Sequence, residues 1–215
     1  MIKETFPIAR PGWTYLAVLA AITALFYWSY KPASAVTATM LIFTAYFFRN
    51  PRRNIPVDSK AILSPADGVV MSVSRVDEDT FIGGPCVKVS IFLSVLNVHV
   101  NRTPVAGEVK YVKYIPGKFL PAFKSHASEI NERNYIGIES YGFKVMVCQI
   151  TGFIARRIVC YAKMGDWMGQ GQLFGMIKFG SCTEIYIPED VEIMVQPGDS
   201  VKGGESIIGR LPDEN

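Results

Sequence analysis

Residues 165–175 read GDWMGQGQLFG, and residues 198–209 repeat the pattern as GDSVKGGESIIG. Each copy predicts a Gly-Asp turn, a short strand, a second glycine turn and another strand. The glycines supply the positive φ angles that such turns require. The two copies indicate that this part of the chain is built from short β-strands joined by tight turns.

Short β-type segments continue outward from this repeat and fill the chain from Ile62 onward. Apolar and polar residues alternate in several of them, as in EVKYVK at 108–113. No regular alternation of strands and helices appears, which favours a barrel or sandwich over a doubly wound sheet. The predicted strands are 68–76, 87–93, 107–114, 135–139, 144–150, 154–162, 174–179, 183–187, 191–195 and 206–211.

The turn pattern resembles the biotinyl/lipoyl-type barrel-sandwich fold. That resemblance implies a mainly β domain of this type, although no lysine stands at a turn tip in the context that carries a swinging arm. Segment 122–133 is expected to hold one short helix or an ordered loop. The apolar excess of the chain lies before Arg49, so the remaining part has the composition of an ordinary soluble domain.

Two uncharged apolar runs precede the β region, from Pro11 to Tyr30 and from Pro32 to Phe48. A helix of twenty residues is about 30 Å long, which is the thickness of the hydrocarbon core of a bilayer. We therefore expect a hydrophobic helical hairpin, with a shallow re-entrant pair as the alternative. A cleaved signal peptide is disfavoured, because the first run is too long and ends without a clean cleavage site.

Basic residues flank the hydrophobic region, and they set its expected orientation. Lys3 and Arg10 precede it, while Arg49, Arg52 and Arg53 follow it. The positive-inside rule then places both ends of a hairpin in the cytoplasm. Residues 1–53 are expected to anchor the protein in the cell (plasma) membrane, with residues 54–215 forming a β domain on the cytoplasmic side.

Charge and cysteine content exclude several classes of protein. The net charge of +3 is too small to predict a nucleic-acid partner, and no basic run resembles a nucleic-acid-binding module. A mildly basic protein at a membrane favours anionic phospholipid, weakly. The cysteines at 86, 148, 160 and 182 form no CxxC pair, which argues against a zinc site. We expect them to be reduced and buried.

Few residues can act as a general base near neutral pH, because the chain contains only two histidines. His99 lies at a predicted strand end, and His126 lies in a polar segment. Asp67 lies in a Pro-containing turn, and a Gly-Ser dipeptide such as Gly180-Ser181 occurs often by chance. Taken singly, each of these residues is more often structural than catalytic.

Four motifs nevertheless follow one another at suitable separations. They are SPADG at 64–68, NVHVNR at 97–102, GFIARRI at 152–158 and FGMIKFGS at 174–181. The ordered set is similar to the phosphatidylserine decarboxylase family, in its short bacterial and archaeal form; FFRNPR at 47–52 and NER at 131–133 match as well. The sequence departs from the family pattern at Val95, where proline is common, and at Cys182, which follows the serine. Neither change touches Asp67, His99 or Ser181.

The resemblance implies that the protein is a zymogen that processes itself. Ser181 Oγ would attack the carbonyl carbon of Gly180, with His99 as the base and Asp67 orienting the imidazole. The resulting ester would be eliminated and hydrolysed, which converts Ser181 into a pyruvoyl group. The two products, residues 1–180 and 181–215, are expected to stay associated through strand pairing.

The activity implied by the resemblance is that of a carboxy-lyase. The pyruvoyl group accepts the electrons released when CO₂ leaves, so neither pyridoxal phosphate nor a metal is required. Phosphatidylserine would become phosphatidylethanolamine in phospholipid biosynthesis, with His99 protonating the substrate carbon. His126 and Arg102 are candidates for substrate binding; Arg102, Arg156 and Arg157 are phosphate-binding candidates by charge alone.

Several alternatives stay open at this point. The chemistry is confined to the head group, so the lipid core can be diacylglycerol or the archaeal ether type. A free amino acid is a second candidate substrate, although it gives no reason for a membrane anchor. A membrane-tethered binding module without activity is a third hypothesis, which the motif set disfavours. No nucleic acid is expected as a partner, and a homodimer is left open.

Overall fold

The computed structural model describes residues 6–120, 130–152, 157–178 and 181–212. The chain divides into two compact units, Met1–Arg52 and Arg53–Asn215. The first contains two helices and the second is built of strands. The prediction of a mainly β protein with an N-terminal helical hairpin is therefore confirmed.

The first unit consists of helices α1 (Gly12–Ser29) and α2 (Lys31–Phe47). α1 carries no charged residue and exposes large apolar side chains such as Leu25 and Trp28. Within the described residues, α1 is the one helix with the length and composition to cross a membrane. Pro32 lies in the first turn of α2, where its missing N–H leaves no helical hydrogen bond unmade.

The described part of the second unit contains fourteen strands, and every named pairing between them is antiparallel. They are β1 (Ala61–Leu63), β2 (Gly68–Glu78), β3 (Gly84–Leu93), β4 (Val100–Arg102), β5 (Gly107–Ile115), β6 (Arg133–Ser140), β7 (Phe143–Thr151), β8 (Arg157–Cys160), β9 (Trp167–Met168), β10 (Leu173–Lys178), β11 (Ser181–Pro188), β12 (Glu192–Ile193), β13 (Ser200–Val201) and β14 (Ile207–Arg210).

These strands form three sheets that share one hydrophobic core. The largest is a curled eight-stranded sheet in the order β13-β2-β3-β11-β7-β6-β5-β9, and the two smaller ones are β4-β10-β8 and β1-β14-β12. Alternate side chains of the large sheet face the core, which also receives side chains from both small sheets. Its members include Ile62, Val89, Ile91, Ile136, Val147, Phe174, Ile185 and Ile208.

All ten predicted strands overlap an observed strand, although their ends differ. Of the predicted strand 154–162, residues 157–160 form β8, residues 161–162 lie beyond its end, and residues 154–156 are not described. The sequence did not reveal β1, β4, β9 and β13, which have two or three residues each and are too short for alternation to be visible. Most of segment 122–133 lies outside the described residues.

The glycine turns of the sequence repeat form matching turns in the structure. Gly171 and Gly204 have φ angles of 71° and 77°, in the left-handed region that favours glycine. Gly171 donates its N–H to the carbonyl oxygen of Thr103 at 2.8 Å, and Gly204 donates to that of Ser64 at 2.9 Å. The internal repeat predicted from the sequence is therefore present in the fold.

The structure extends this repeat to two segments whose likeness is hard to see in the sequence. The turns SPADG at 64–68 and TPVAG at 103–107 occupy equivalent positions, and Asp67 of the first corresponds to Ala106 of the second. The matching backbone hydrogen bonds are Leu63 N to Pro104 O, Arg102 N to Pro65 O, Val70 N to Asp199 O and Val109 N to Asp166 O, all 2.9 Å long. The two halves differ in charge, because only the first turn carries a carboxylate.

Candidate active site

His99 lies in the connection between β3 and β4 and is fully buried. Its Nδ1 is 3.0 Å from the carbonyl oxygen of Asn97. Because a carbonyl can only accept, this contact assigns the proton of the neutral ring to Nδ1 and makes Nε2 the basic nitrogen. The turn is held in shape by the side-chain oxygen of Asn97, which accepts from Ser94 N at 2.8 Å and Ser94 Oγ at 2.7 Å.

The backbone of Ser181 begins β11, between Leu93 of β3 and Thr151 of β7. β3 ends at Leu93, so the chain runs from this pairing directly into the turn that carries His99. On the other side, Ile177 of β10 donates its N–H to the carbonyl oxygen of His99 at 3.1 Å. The His99 segment is therefore bonded to the strands on both sides of the predicted cleavage site, of which Gly180 lies outside the described residues.

Asp67 lies in the turn between β1 and β2, with a side chain that is 14% exposed. Its carboxylate accepts two hydrogen bonds from Nη2 of Arg53, at 2.8 and 2.9 Å, and one from the backbone N–H of Gly203 at 2.9 Å. The same turn accepts a backbone hydrogen bond from Arg102, at the end of the strand that follows His99. Orientation of His99 by Asp67 stays a prediction.

Arg53 is the neighbour of Asp67 that sequence reasoning missed. Its side chain is 6% exposed, and its Nη1 also lies 3.8 Å from Glu205. In the sequence, Arg53 stands out only as a cation that flanks the hydrophobic region. The available signal was its position, because it directly follows the FFRNPR stretch at 47–52 that matches the family.

A chain of buried amides links the strand after His99 to the strand that begins with Ser181. Asn101 of β4 donates from Nδ2 to Thr183 Oγ1 of β11 at 3.1 Å. Gln149 of β7 donates from Nε2 to Asn101 Oδ1 at 2.9 Å, and accepts at Oε1 from Asn134 at 3.1 Å. All four side chains are buried. This network fixes β4 against β11 close to the predicted reacting residues.

Replacing Gln149 with leucine should destabilise the folded chain by about 1–3 kcal/mol for each buried polar group left unpaired. The group left unpaired is Asn101 Oδ1, while Asn134 Nδ2 loses one hydrogen bond and keeps its contact with Cys160. Urea unfolding in the Ser181→Ala background measures this effect without interference from cleavage. Gln196→Leu makes the same chemical change at an exposed position and serves as the control. Equal midpoints for the two variants would contradict a structural role of the network.

Cys182 directly follows Ser181 and is buried, as the other cysteines are except the partly buried Cys160. Burial, followed by the nearby charge of Glu184, raises the pKa of the Cys182 thiol well above its ordinary value. The thiol is therefore protonated at neutral pH and is a poor nucleophile. All four cysteines are free, as the sequence predicts.

The residues predicted to bind substrate are described only in part. Arg102 is 2% exposed, and its Nη1 donates to the carbonyl oxygen of Gly171 at 2.9 Å, so this contact supports a turn of the internal repeat. Arg157 lies at the exposed start of β8. His126 and Arg156 lie outside the described residues. Substrate binding by His126 and Arg102 stays a prediction.

Comparison with known proteins gives extensive matches. The family model described as "Phosphatidylserine decarboxylase" matches residues 40–209. The chain is 57% identical over 211 residues to a phosphatidylserine decarboxylase proenzyme of Carboxydothermus hydrogenoformans, covering 98% of this chain and 99% of that protein. A relative of the same name from Symbiobacterium thermophilum is 48% identical over 206 residues, covering 95% of this chain and 96% of the relative.

Proposed function

The chain belongs to the phosphatidylserine decarboxylase family, and from this premise we propose that it cuts itself between Gly180 and Ser181 and then decarboxylates phosphatidylserine. The family is one of decarboxylating enzymes of phospholipid metabolism. The observation that carries the proposal is the 57% identity, over nearly the full chain, to a relative whose name includes "proenzyme". The convergence of the His99 segment with the start of β11 supports it.

Maturation begins with attack of Ser181 Oγ on the carbonyl carbon of Gly180. His99 Nε2 takes the hydroxyl proton and returns it to the Ser181 nitrogen as the C–N bond breaks, which turns the peptide into an ester. Loss of the Ser181 Cα proton then expels the Gly180 carboxylate. Water then displaces the nitrogen, which leaves as ammonia, and the carbon that carried it becomes a ketone. One water is consumed and one ammonia is released.

The surroundings of Ser181 suit a pyruvoyl group. Its strand starts between two fully buried residues, Leu93 and Thr151, and the fully buried His99 lies on a segment bonded to β10. When present, the group supplies a carbonyl that accepts electrons as CO₂ leaves the substrate. His99 then delivers a proton to the substrate carbon. Asp67, on the turn bonded to β4, is proposed to orient the His99 imidazole.

The two fragments of the cut chain are proposed to remain one body. β11 lies between β3 and β7, and β14 lies between β1 and β12. Residues 181–215 therefore supply an inner strand to the large sheet and the middle strand to a small one. The hydrogen bonds of β11 with β3 and β7, and those of β14 with β1, join residues on opposite sides of the cut.

A membrane location is proposed from the composition of the first unit. The apolar α1 suits a membrane span, and the anchor of residues 1–53 would hold the catalytic domain of residues 54–215 near the head groups of its substrate. The net charge of +3 weakly favours an anionic lipid surface. By the positive-inside rule the catalytic domain would face the cytoplasm at the cell membrane.

Intact mass measurement combined with a lipid assay tests the proposed function. Under denaturing conditions the purified protein should give two fragments, and the C-terminal one should be lighter by one ammonia than a fragment with an ordinary serine terminus. The same preparation should release CO₂ from vesicles containing phosphatidylserine and leave free serine unchanged. A single unmodified chain in an active preparation would refute self-cleavage, and turnover of free serine alone would refute the lipid substrate.

A further inference from the structure

Arg53 places a buried positive charge directly on the carboxylate of Asp67. Its Nη2 bonds to both carboxylate oxygens, at 2.8 and 2.9 Å, and the backbone N–H of Gly203 donates to one of them. The two side chains are only 6% and 14% exposed. A charge-assisted contact of this kind fixes the direction of the carboxylate more firmly than a neutral hydrogen bond does.

The linker that carries Arg53 is itself docked on the two turns of the internal repeat. The backbone N–H of Asn54 donates to Glu205 Oε1 at 2.9 Å. Ile55 packs against Gly171, where an added Cβ would lie 2.8 Å from Ile55 Cδ1. Residues 53–55 are therefore held in a defined position on the β unit, and this position fixes where the Arg53 side chain contacts Asp67.

The internal repeat indicates that the turn can form without the Arg53–Asp67 pair. The turn at 103–107 makes the equivalent backbone hydrogen bonds with Ala106 in the place of Asp67. The turn therefore forms without a carboxylate. A buried ion pair is also weak evidence for stability, because desolvation offsets much of its attraction. The pair is an addition to one half of the repeat, the half whose turn is bonded to the end of β4, the strand that follows His99.

We propose that Arg53 is a positioning residue for self-cleavage, which holds the Asp67 carboxylate in the place where it supports His99. The inference rests on the proposed function, because it assigns Arg53 a part in the same reaction. It also makes maturation depend on the docking of the linker that follows the hydrophobic region. Arg53 acts through Asp67 and does not itself contact the reacting atoms.

The test compares Arg53→Lys with Arg53→Met in the full-length chain, because the two side chains have similar lengths and differ in charge. Cleavage is followed on denaturing gels from freshly translated precursor. Arg53→Met should lower the first-order rate constant by roughly 10- to 100-fold, the scale expected when reacting groups lose their geometry. Arg53→Lys should restore a large part of it. Arg52→Ala changes the adjacent, exposed arginine and should cleave at the parental rate.

A double variant separates positioning from a general structural role. If Arg53 acts through Asp67, Arg53→Met/Asp67→Asn should cleave no more slowly than Asp67→Asn alone, which is itself expected to be slow. Multiplicative losses, or equal rates for the Lys and Met variants, would overturn the proposal. Unfolding of each variant in the Ser181→Ala background confirms that rates are compared between folded chains.

The outcomes also separate this inference from the proposed function. A parental chain that cleaves, an Asp67→Asn variant that is slow and an Arg53→Met variant at the parental rate would reject the role of Arg53 alone. A parental chain that never cleaves would reject the proposed function itself. If Arg53→Met does not fold, the comparison of Arg53→Lys with the parent decides, because the lysine variant should retain measurable cleavage that Asp67→Asn reduces further.

Discussion

Ser181→Ala should remain a single polypeptide of 23.9 kDa without decarboxylase activity. Alanine has no Oγ to attack the Gly180 carbonyl, so the ester cannot form and the ketone is never generated. Because both the cut and the activity depend on one atom, the expected loss is complete in each. A denaturing gel and an intact mass measurement detect the uncut chain, and CO₂ release from phosphatidylserine vesicles reports the activity.

The control for this variant is Ser200→Ala, which removes a hydroxyl from an exposed residue of β13. It should be cut and active at parental levels. The uncut Ser181→Ala protein should unfold with a midpoint close to that of a folded precursor, since the substitution removes one hydroxyl. Two fragments from Ser181→Ala would show that another residue performs the cleavage.

His99→Ala should lower the rate constant of cleavage by about 10²- to 10⁴-fold, which is the usual contribution of a general base. The ring is fully buried, and its Nδ1 is committed to the Asn97 carbonyl, so Nε2 is the nitrogen suited to accept the serine proton. His99→Gln should be slowed to a similar extent, because an amide fills the space and forms hydrogen bonds but does not take up a proton at neutral pH.

Pulse-labelled precursor chased over hours provides the measurement for both His99 variants. His126→Ala removes the only other histidine and should cleave at the parental rate, because no part in cleavage is assigned to it. Normal maturation of His99→Gln would rule out the base assignment, whatever the behaviour of the alanine variant. Slow cleavage in a variant that retains the parental unfolding midpoint would support it.

The fold was predictable wherever a strand was long enough to show its pattern. β2, β5 and β7 have alternating or continuous apolar residues over nine or more positions, and each was predicted within a few residues of its ends. β9 and β13 have two residues each and are defined by their pairing with β5 and β2. Such pairing depends on chain segments far apart in sequence, so no local pattern reveals it.

Some residues of the candidate site were also predictable from the sequence, and others were not. Asp67, His99 and Ser181 were singled out because their motifs occur in a familiar order. Arg53 and Gln149 were missed, because their importance comes from what they touch after folding. Gln149 bonds to a residue 48 positions earlier in the chain, and neither residue belongs to a motif that names a reaction. Buried polar contacts between strands that are far apart in the chain cannot be predicted from a single sequence.

The inner position of β11 has a consequence for the enzyme as an assembly. Departure of residues 181–215 would leave β3 and β7 as two unpaired edges in the middle of a sheet, which is an unfavourable state. One translation product would thereby yield a heterodimer of fixed one-to-one stoichiometry, because the two fragments are already paired when the chain is cut. We expect mature protein mixed with an isotope-labelled copy to show no exchange of subunits until it is denatured.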